Sequence, residues 1–134
     1  MLPRRHRLSR PEDFRGVLRR SRGDGRRRGR VGTDLLVVHA AMTAQAPPTR
    51  SPRVGFVVSK AVGNSVVRHR VVRRLRALVA ARLHQLPPGT DLVVRAQRAA
   101  STASSDQLGA ALDTALPRVL DAVTPAEPSG AVQP

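Results

Sequence analysis

At 134 residues the chain has room for one compact domain plus tails, because a single core takes roughly 100–150 residues. It carries 24 basic against 9 acidic side chains, a net charge of +15, and all the basic residues but Lys60 are arginine, so a polyanionic partner is the leading inference. With no cysteine, disulfides, thiolate metal sites and a cysteine nucleophile are excluded together.

The first ten residues, MLPRRHRLSR, are positively charged with no apolar stretch behind them, and no run approaches the ~18–20 apolar residues that span a bilayer. A cytoplasmic protein is expected. SRPE, from Ser9, reads as a capping box in which Ser9 and Glu12 exchange side-chain bonds to each other's amides. Phe14, Val17 and Leu18 follow at helical spacing, and this helix should end near Gly23. RSRGDGRRRGR, residues 20–30, reads as a Gly/Arg loop.

DLLVVHA (34–40) and PRVGFVVSK (52–60) are β-branched runs separated by the Pro-rich AQAPPTRSP. They predict two antiparallel strands joined by a wide hairpin connection, with a third strand around 29–33. Helical periodicity takes over from about Asn64 to Leu86, and DLVVRAQ (91–97) returns to strand. Strand, helix, strand is the βαβ pattern and implies parallel flanking strands. A last helix from about Ser105 aligns Leu108, Ala111, Leu112, Ala115, Leu116, Val119, Leu120 and Val123 on one face. Pro117 should kink it or end it early. The expectation is a two-layer α+β sandwich of order αβββαβα: a single domain over residues 1–123 with a four-stranded sheet, then a disordered tail at 124–134.

The segment GNSVVRHRVVRRLR, residues 63–76, concentrates basic side chains on a helix that must also pack. On a helical wheel Val71, Leu75, Leu78, Val79, Leu83 and Leu86 fall on one side, facing the sheet, while Arg70, Arg73 and Arg74 point away with Arg76 at their boundary. Like charges at this spacing repel by a few tenths of a kcal/mol per pair, yet no acid occurs between Lys60 and Leu86. An anion-binding face explains that better than a solvated one, which normally mixes signs. Arginine in place of lysine suits bidentate phosphate contacts and base stacking; a high-GC coding bias would give the same composition.

Around this helix, Gly63 is placed to end the strand and Asn64 to cap the helix. The only aromatics are Phe14 and Phe56. Each fits either the core or an exposed stacking surface, Phe56 alternating with Val54 and Val58 on one strand face. His6, His39 and His84 lack metal-ligand spacing, and the acids show no paired-carboxylate arrangement. Glu12 and Asp13 fit a helix start, and the others are scattered. No catalytic motif of a protein-only nuclease appears.

KAVGNSVVRHRVVRRLR resembles the signature of the bacterial ribonuclease P protein family, of general form K-x-x-G-N-A-V-x-R-N-R-x-K-R-x-x-R. RLSRPEDF, RVGFVVSK and DLVVRAQRAA resemble further family stretches, so that the likeness covers roughly residues 7–120. The resemblance implies a protein subunit that joins a large catalytic RNA and removes the 5′ leader of precursor tRNA. Catalysis would lie with the RNA and its Mg2+ ions, with no catalytic residue and no metal of the protein's own. It implies an αβββαβα fold with a left-handed crossover, against the usual right-handed rule. The implied partners are the catalytic RNA and the single-stranded leader, not membrane, DNA or a small molecule.

Carried over by position, the implied RNA-binding residues are Lys60, Asn64, Arg68, His69, Arg70, Arg73, Arg74 and Arg76, and the implied leader cleft holds Phe14, Leu18 and Phe56. His69 stands where the family usually has asparagine, Val72 replaces a common lysine, and Leu18 replaces a second cleft aromatic, leaving less surface for base stacking. A ribosomal or other structural RNA-binding protein is the alternative, since the charge fits it equally. A DNA-binding protein is disfavoured by the lack of a helix-turn before the arginine-rich helix.

Overall fold

The run Thr90–Ala96 is buried at every position but Arg95, which only an interior strand of a sheet covered on both faces can achieve. In the computed structural model, which describes residues 2–18, 26–43 and 50–124, this run is the last strand, β4, of a four-stranded sheet. The elements in chain order are α1 (Pro11–Leu18), β1 (Arg26–Gly32), β2 (Leu36–Thr43), β3 (Arg53–Val57), α2 (Ser65–Ala80), β4 (Thr90–Ala96) and α3 (Ser105–Val123), with short 3-10 turns at Arg4–His6, Leu83–Gln85 and Arg98–Ser101. The αβββαβα order and the α+β class are as expected.

The strand order is β1-β2-β4-β3. The β2 and β3 strands, expected to form a hairpin, are not neighbours: β4 lies between them, antiparallel to β2 and parallel to β3. The β1 and β2 strands pair antiparallel instead, with Arg30 opposite His39. The Gly/Arg segment expected as a loop is strand from Arg26 onward, because pairing with β2 satisfies a backbone that side-chain composition alone would leave solvated. Its residues 20–25 lie outside the described residues, as do the expected end of the first helix near Gly23 and the tail beyond Thr124.

One face of the sheet, with Leu36, Val38, Ala40, Val54, Leu92 and Val94, buries its apolar side chains against Val71, Leu75 and Val79 of α2 and Leu108, Leu112, Leu116 and Val119 of α3. These form the main sandwich. The opposite face is also apolar at Ala41 and Val93, and there α1 adds a short cover through Val17 and Phe14 together with Leu8. The helix ends follow local chemistry. Asn64 caps α2 by accepting from the Val67 amide at 2.9 Å. Gly63 precedes it, where a Cβ would approach the Val67 side chain to 2.9 Å.

A capping box does occur, at Ser104 and Gln107 of α3 and not at Ser9. The α1 helix begins at Pro11, with the Asp13 and Phe14 amides on the Arg10 carbonyl at 3.0 and 3.4 Å. Capping from Ser9 would force Arg10, the residue before a proline, into the helical region that the ring disfavours. Pro117 does not end α3, which runs on to Val123. The proline lies on the exposed side, where water can reach the carbonyl its missing N–H leaves free.

The acids are not all scattered. Asp91, 1% exposed at the start of β4, accepts from three guanidiniums: Arg26 at 2.8 Å, Arg50 at 3.0 Å, and Arg53 through Nε and Nη2, each at 3.0 Å. One carboxylate thus ties together β1, the segment before β3, β3 and β4. Burial alone would push its pKa up, but the Arg53 and Arg50 guanidiniums together outweigh that and hold it below the ordinary carboxyl range.

Because the folded-state pKa is depressed, the resulting stability is present above the unfolded value of ~3.9 and is lost as pH falls through the lower folded value. Denaturant midpoints measured between pH 7 and pH 3 should therefore show Asp91→Asn costing ~3–5 kcal/mol near neutrality. The variant should also lose less than wild type below about pH 4. Parallel pH curves for the two proteins would contradict this.

Candidate nucleic-acid interface

The β3 strand is an edge of the sheet, and its outer side is met only briefly by the N-terminal segment, where the Leu8 amide bonds the Val54 carbonyl at 2.9 Å. Along this edge opens a cleft of about 770 Å³. Its walls are Arg7, Leu8, Ser9 and Phe14 on one side, Val54, Gly55 and Phe56 on the floor, and His69, Val72, Arg73 and Arg76 of α2 on the other. No acid lines it.

Phe14 and Phe56 are both half-buried, so each of the two readings open for them is partly realised. Phe14 rests on the small core of Leu8, Val17, Ala41 and Val93, and Phe56 packs against the main core, while both present ring surface to the cleft. Gly55 is the reason Phe14 can sit there, since a Cβ on it would collide with the Phe14 ring. A lone glycine within a strand run signals such a close approach, and RVGFVV carries that signal. Leu18, expected in the cleft, is 37% exposed at the end of α1 and does not line it.

The arginines of α2 do not share one exposed face. Arg73 and Arg76 are exposed at the cleft and make no hydrogen bond or ion pair among the described residues. Arg70 and Arg74 are half-buried on the other flank, donating to the carbonyls of Ser101 at 3.2 Å and Ala103 at 3.0 Å. There they border a second, shallower basin of about 480 Å³ with Thr102, Ser104 and Gln107. The wheel misses this split because it places residues around the helix axis and is blind to the segment 98–104 folding back against it.

Lys60 is exposed in the turn after β3. Arg68 is half-buried, with an Nε that is enclosed and has no partner among the described residues. The side-chain oxygen of Asn64 is committed to the helix cap, and His69 is exposed on the cleft wall. Val72, at the position where the family commonly has lysine, also lines the cleft, as do Arg7 and Ser9, for which sequence pattern gives no signal.

What the arrangement offers is free guanidiniums for phosphates beside aromatic surface for bases, with no paired carboxylates among the described residues. That combination suits single-stranded nucleic acid. A family model described as Ribonuclease P matches residues 2–120. The chain belongs to the ribonuclease P protein family. It is 51% identical to the ribonuclease P protein component of Streptomyces bikiniensis over 128 residues, spanning 90% of this chain and 96% of that one. It is 48% identical to that of Rhodococcus opacus, over 93% and 96% of the two chains.

Solved ribonuclease P proteins share the fold. That of Staphylococcus aureus superposes with a TM-score of 0.70 at 20% identity, covering 89% of this chain and 98% of the other. That of Thermotoga maritima gives 0.64 at 19% identity, over 81% and 92%.

Thermal and denaturant unfolding separate the two sets of arginines. Arg73→Ala and Arg76→Ala should stay within ~0.5 kcal/mol of the parent, whereas Arg70→Ala and Arg74→Ala should each lose ~0.5–1.5 kcal/mol with their carbonyl contacts. Equal losses in all four would mean that the 98–104 segment is not held in this way.

Proposed function

We propose that this chain binds the 5′ leader of precursor tRNA in the cleft along the β3 edge, and the catalytic RNA of ribonuclease P across the opposite flank of α2. Its family membership makes it the protein subunit of ribonuclease P, the endoribonuclease that matures tRNA 5′ ends. The assignment of surfaces is carried by one observation: among the described residues the cleft joins Phe14 and Phe56 to Arg73 and Arg76, neither of them paired, with no acid in its walls.

A single strand laid there can stack a base on the Phe14 ring while its phosphates meet Arg73 and Arg76. His69 adds a donor and an acceptor on the same wall. On the other flank, Arg70 and Arg74 each use one nitrogen to hold a backbone carbonyl and retain further N–H groups for a phosphate of a folded RNA. Lys60 and Arg68 lie toward the start of α2 and add positive charge there, beside the capping Asn64.

Mg2+ in this reading is held by the RNA. Among the described residues no group of three or more His, Cys, Asp or Glu could hold an ion, and the buried Asp91 is occupied by guanidiniums. In this reading the protein binds and orients, and the chemistry lies with the RNA. No helix among the described residues is long and apolar enough to cross a membrane, and the proposed location is the cytoplasm, with precursor tRNA. The ribosomal alternative has no observation of its own in its favour.

Phe14→Ala tests the leader site. In the holoenzyme reconstituted with catalytic RNA, the variant should bind that RNA as wild type does. It should lose ~1–3 kcal/mol of the preference for precursor over mature tRNA, tenfold or more at the upper end. A preference left intact would remove Phe14 from the leader site.

A further inference from the structure

The α1 helix is too short to hold its own place. Eight residues fall below the length at which an isolated helix is stable in water, and Val17 is its only buried residue. Apolar contact keeps it on the sheet without fixing where along the sheet it sits.

Polar ties supply that. Arg28 Nε donates to the Gly16 carbonyl at 2.9 Å. Arg53, locked by Asp91 through Nε and Nη2, brings its remaining nitrogen, Nη1, to 3.8 Å from Asp13 Oδ1, while the exposed Arg10, one turn back on the same segment, lies 3.5 Å from Oδ2 and ties Asp13 only to its own helix start. Asp13 immediately precedes Phe14, and Arg53 stands two residues before Gly55, the glycine beneath the Phe14 ring. A chain of alternating charges thus runs from the buried start of β4, through β3, to the residue adjoining the cleft aromatic. Its middle member cannot swing, because two of its three nitrogens are already bound.

We propose that Asp13 and Arg53, anchored by Asp91, are positioning residues for leader binding: they set α1 so that the Phe14 ring stands over Gly55 and fixes the cleft at the width that accepts a stacked base. This rests on the reading that Phe14 lines the leader site. Asp13 is an acid near a face that binds a polyanion, so its charge by itself weakens RNA binding. Its effect through position has the opposite sign, since a displaced ring forfeits the stack.

The opposed signs make the proposal testable in the reconstituted holoenzyme, with dissociation constants for precursor and mature tRNA measured for wild type, Asp13→Asn, Asp13→Glu, Phe14→Ala and the Asp13→Asn/Phe14→Ala double variant. Affinity for the catalytic RNA is followed in parallel to confirm folding. Asp13→Asn should lower the precursor preference about threefold, Asp13→Glu should retain most of it, and the asparagine should cost nothing further once Phe14 is alanine. An unchanged or increased preference in Asp13→Asn, the increase being what loss of charge alone gives, would overturn the proposal. So would a full additive loss in the double variant. If Phe14→Ala itself leaves the preference intact, the leader-site reading fails and the proposal falls with it.

Discussion

Parallel pairing of β3 with β4 is the constraint from which the interface follows. Two parallel strands cannot be joined by a tight turn, so the chain between them must cross the sheet, and here that crossing is α2. Its stripe of Val71, Leu75 and Val79 is buried against the sheet and α3, each side chain contributing ~1.5–3 kcal/mol. The like-charge repulsion along its other sides is a few tenths of a kcal/mol per pair, so packing decides and the helix tolerates its arginines. The same pairing leaves β3 at the edge of the sheet, with Arg73 and Arg76 of α2 above it and α1 across from them. The cleft is the space that this topology leaves.

Within α2 the arginines divide by what holds them. Arg70 and Arg74 are partly spent on carbonyls of the segment before α3, which makes them structural as well as basic. Arg73 and Arg76 are unspent. A helix that looks like one uniform basic face is therefore two surfaces about a common apolar stripe, and the family's two RNA partners can be apportioned between them. Asp91 belongs to a different layer of the design. It touches neither surface, yet it ties the strands beneath both, and through Arg53 it reaches the helix that carries Phe14.

Periodicity made the elements legible: the 3.6-residue spacing of Val71, Leu75 and Val79, the alternation about Val54 and Phe56, and the Asn64 cap all lie where local physics puts them. The signature residues from Lys60 to Arg76 brought the family into view. What stayed hidden is non-local. Nothing in the valine-rich runs says that β4 inserts between β2 and β3, because strand order is set by how the helices on the two faces of the sheet cover it. Asp91 looks like any isolated acid, since its partners lie 38, 41 and 65 residues away in sequence. Leu18 stands one helical turn beyond Phe14, at the end of α1, and a family position does not say which way that last turn faces.

The division of α2 into a leader side and a catalytic-RNA side is the central claim, and the absence of cysteine from the chain allows a direct test. Single-cysteine proteins made by Val72→Cys, on the cleft wall, and Thr102→Cys, on the opposite basin, can each carry a short photocrosslinker into the holoenzyme bound to precursor tRNA. The account predicts crosslinks from position 72 to the 5′ leader and from position 102 to the catalytic RNA. Crosslinks from both positions to the same RNA, or an exchange of the two targets, would contradict it.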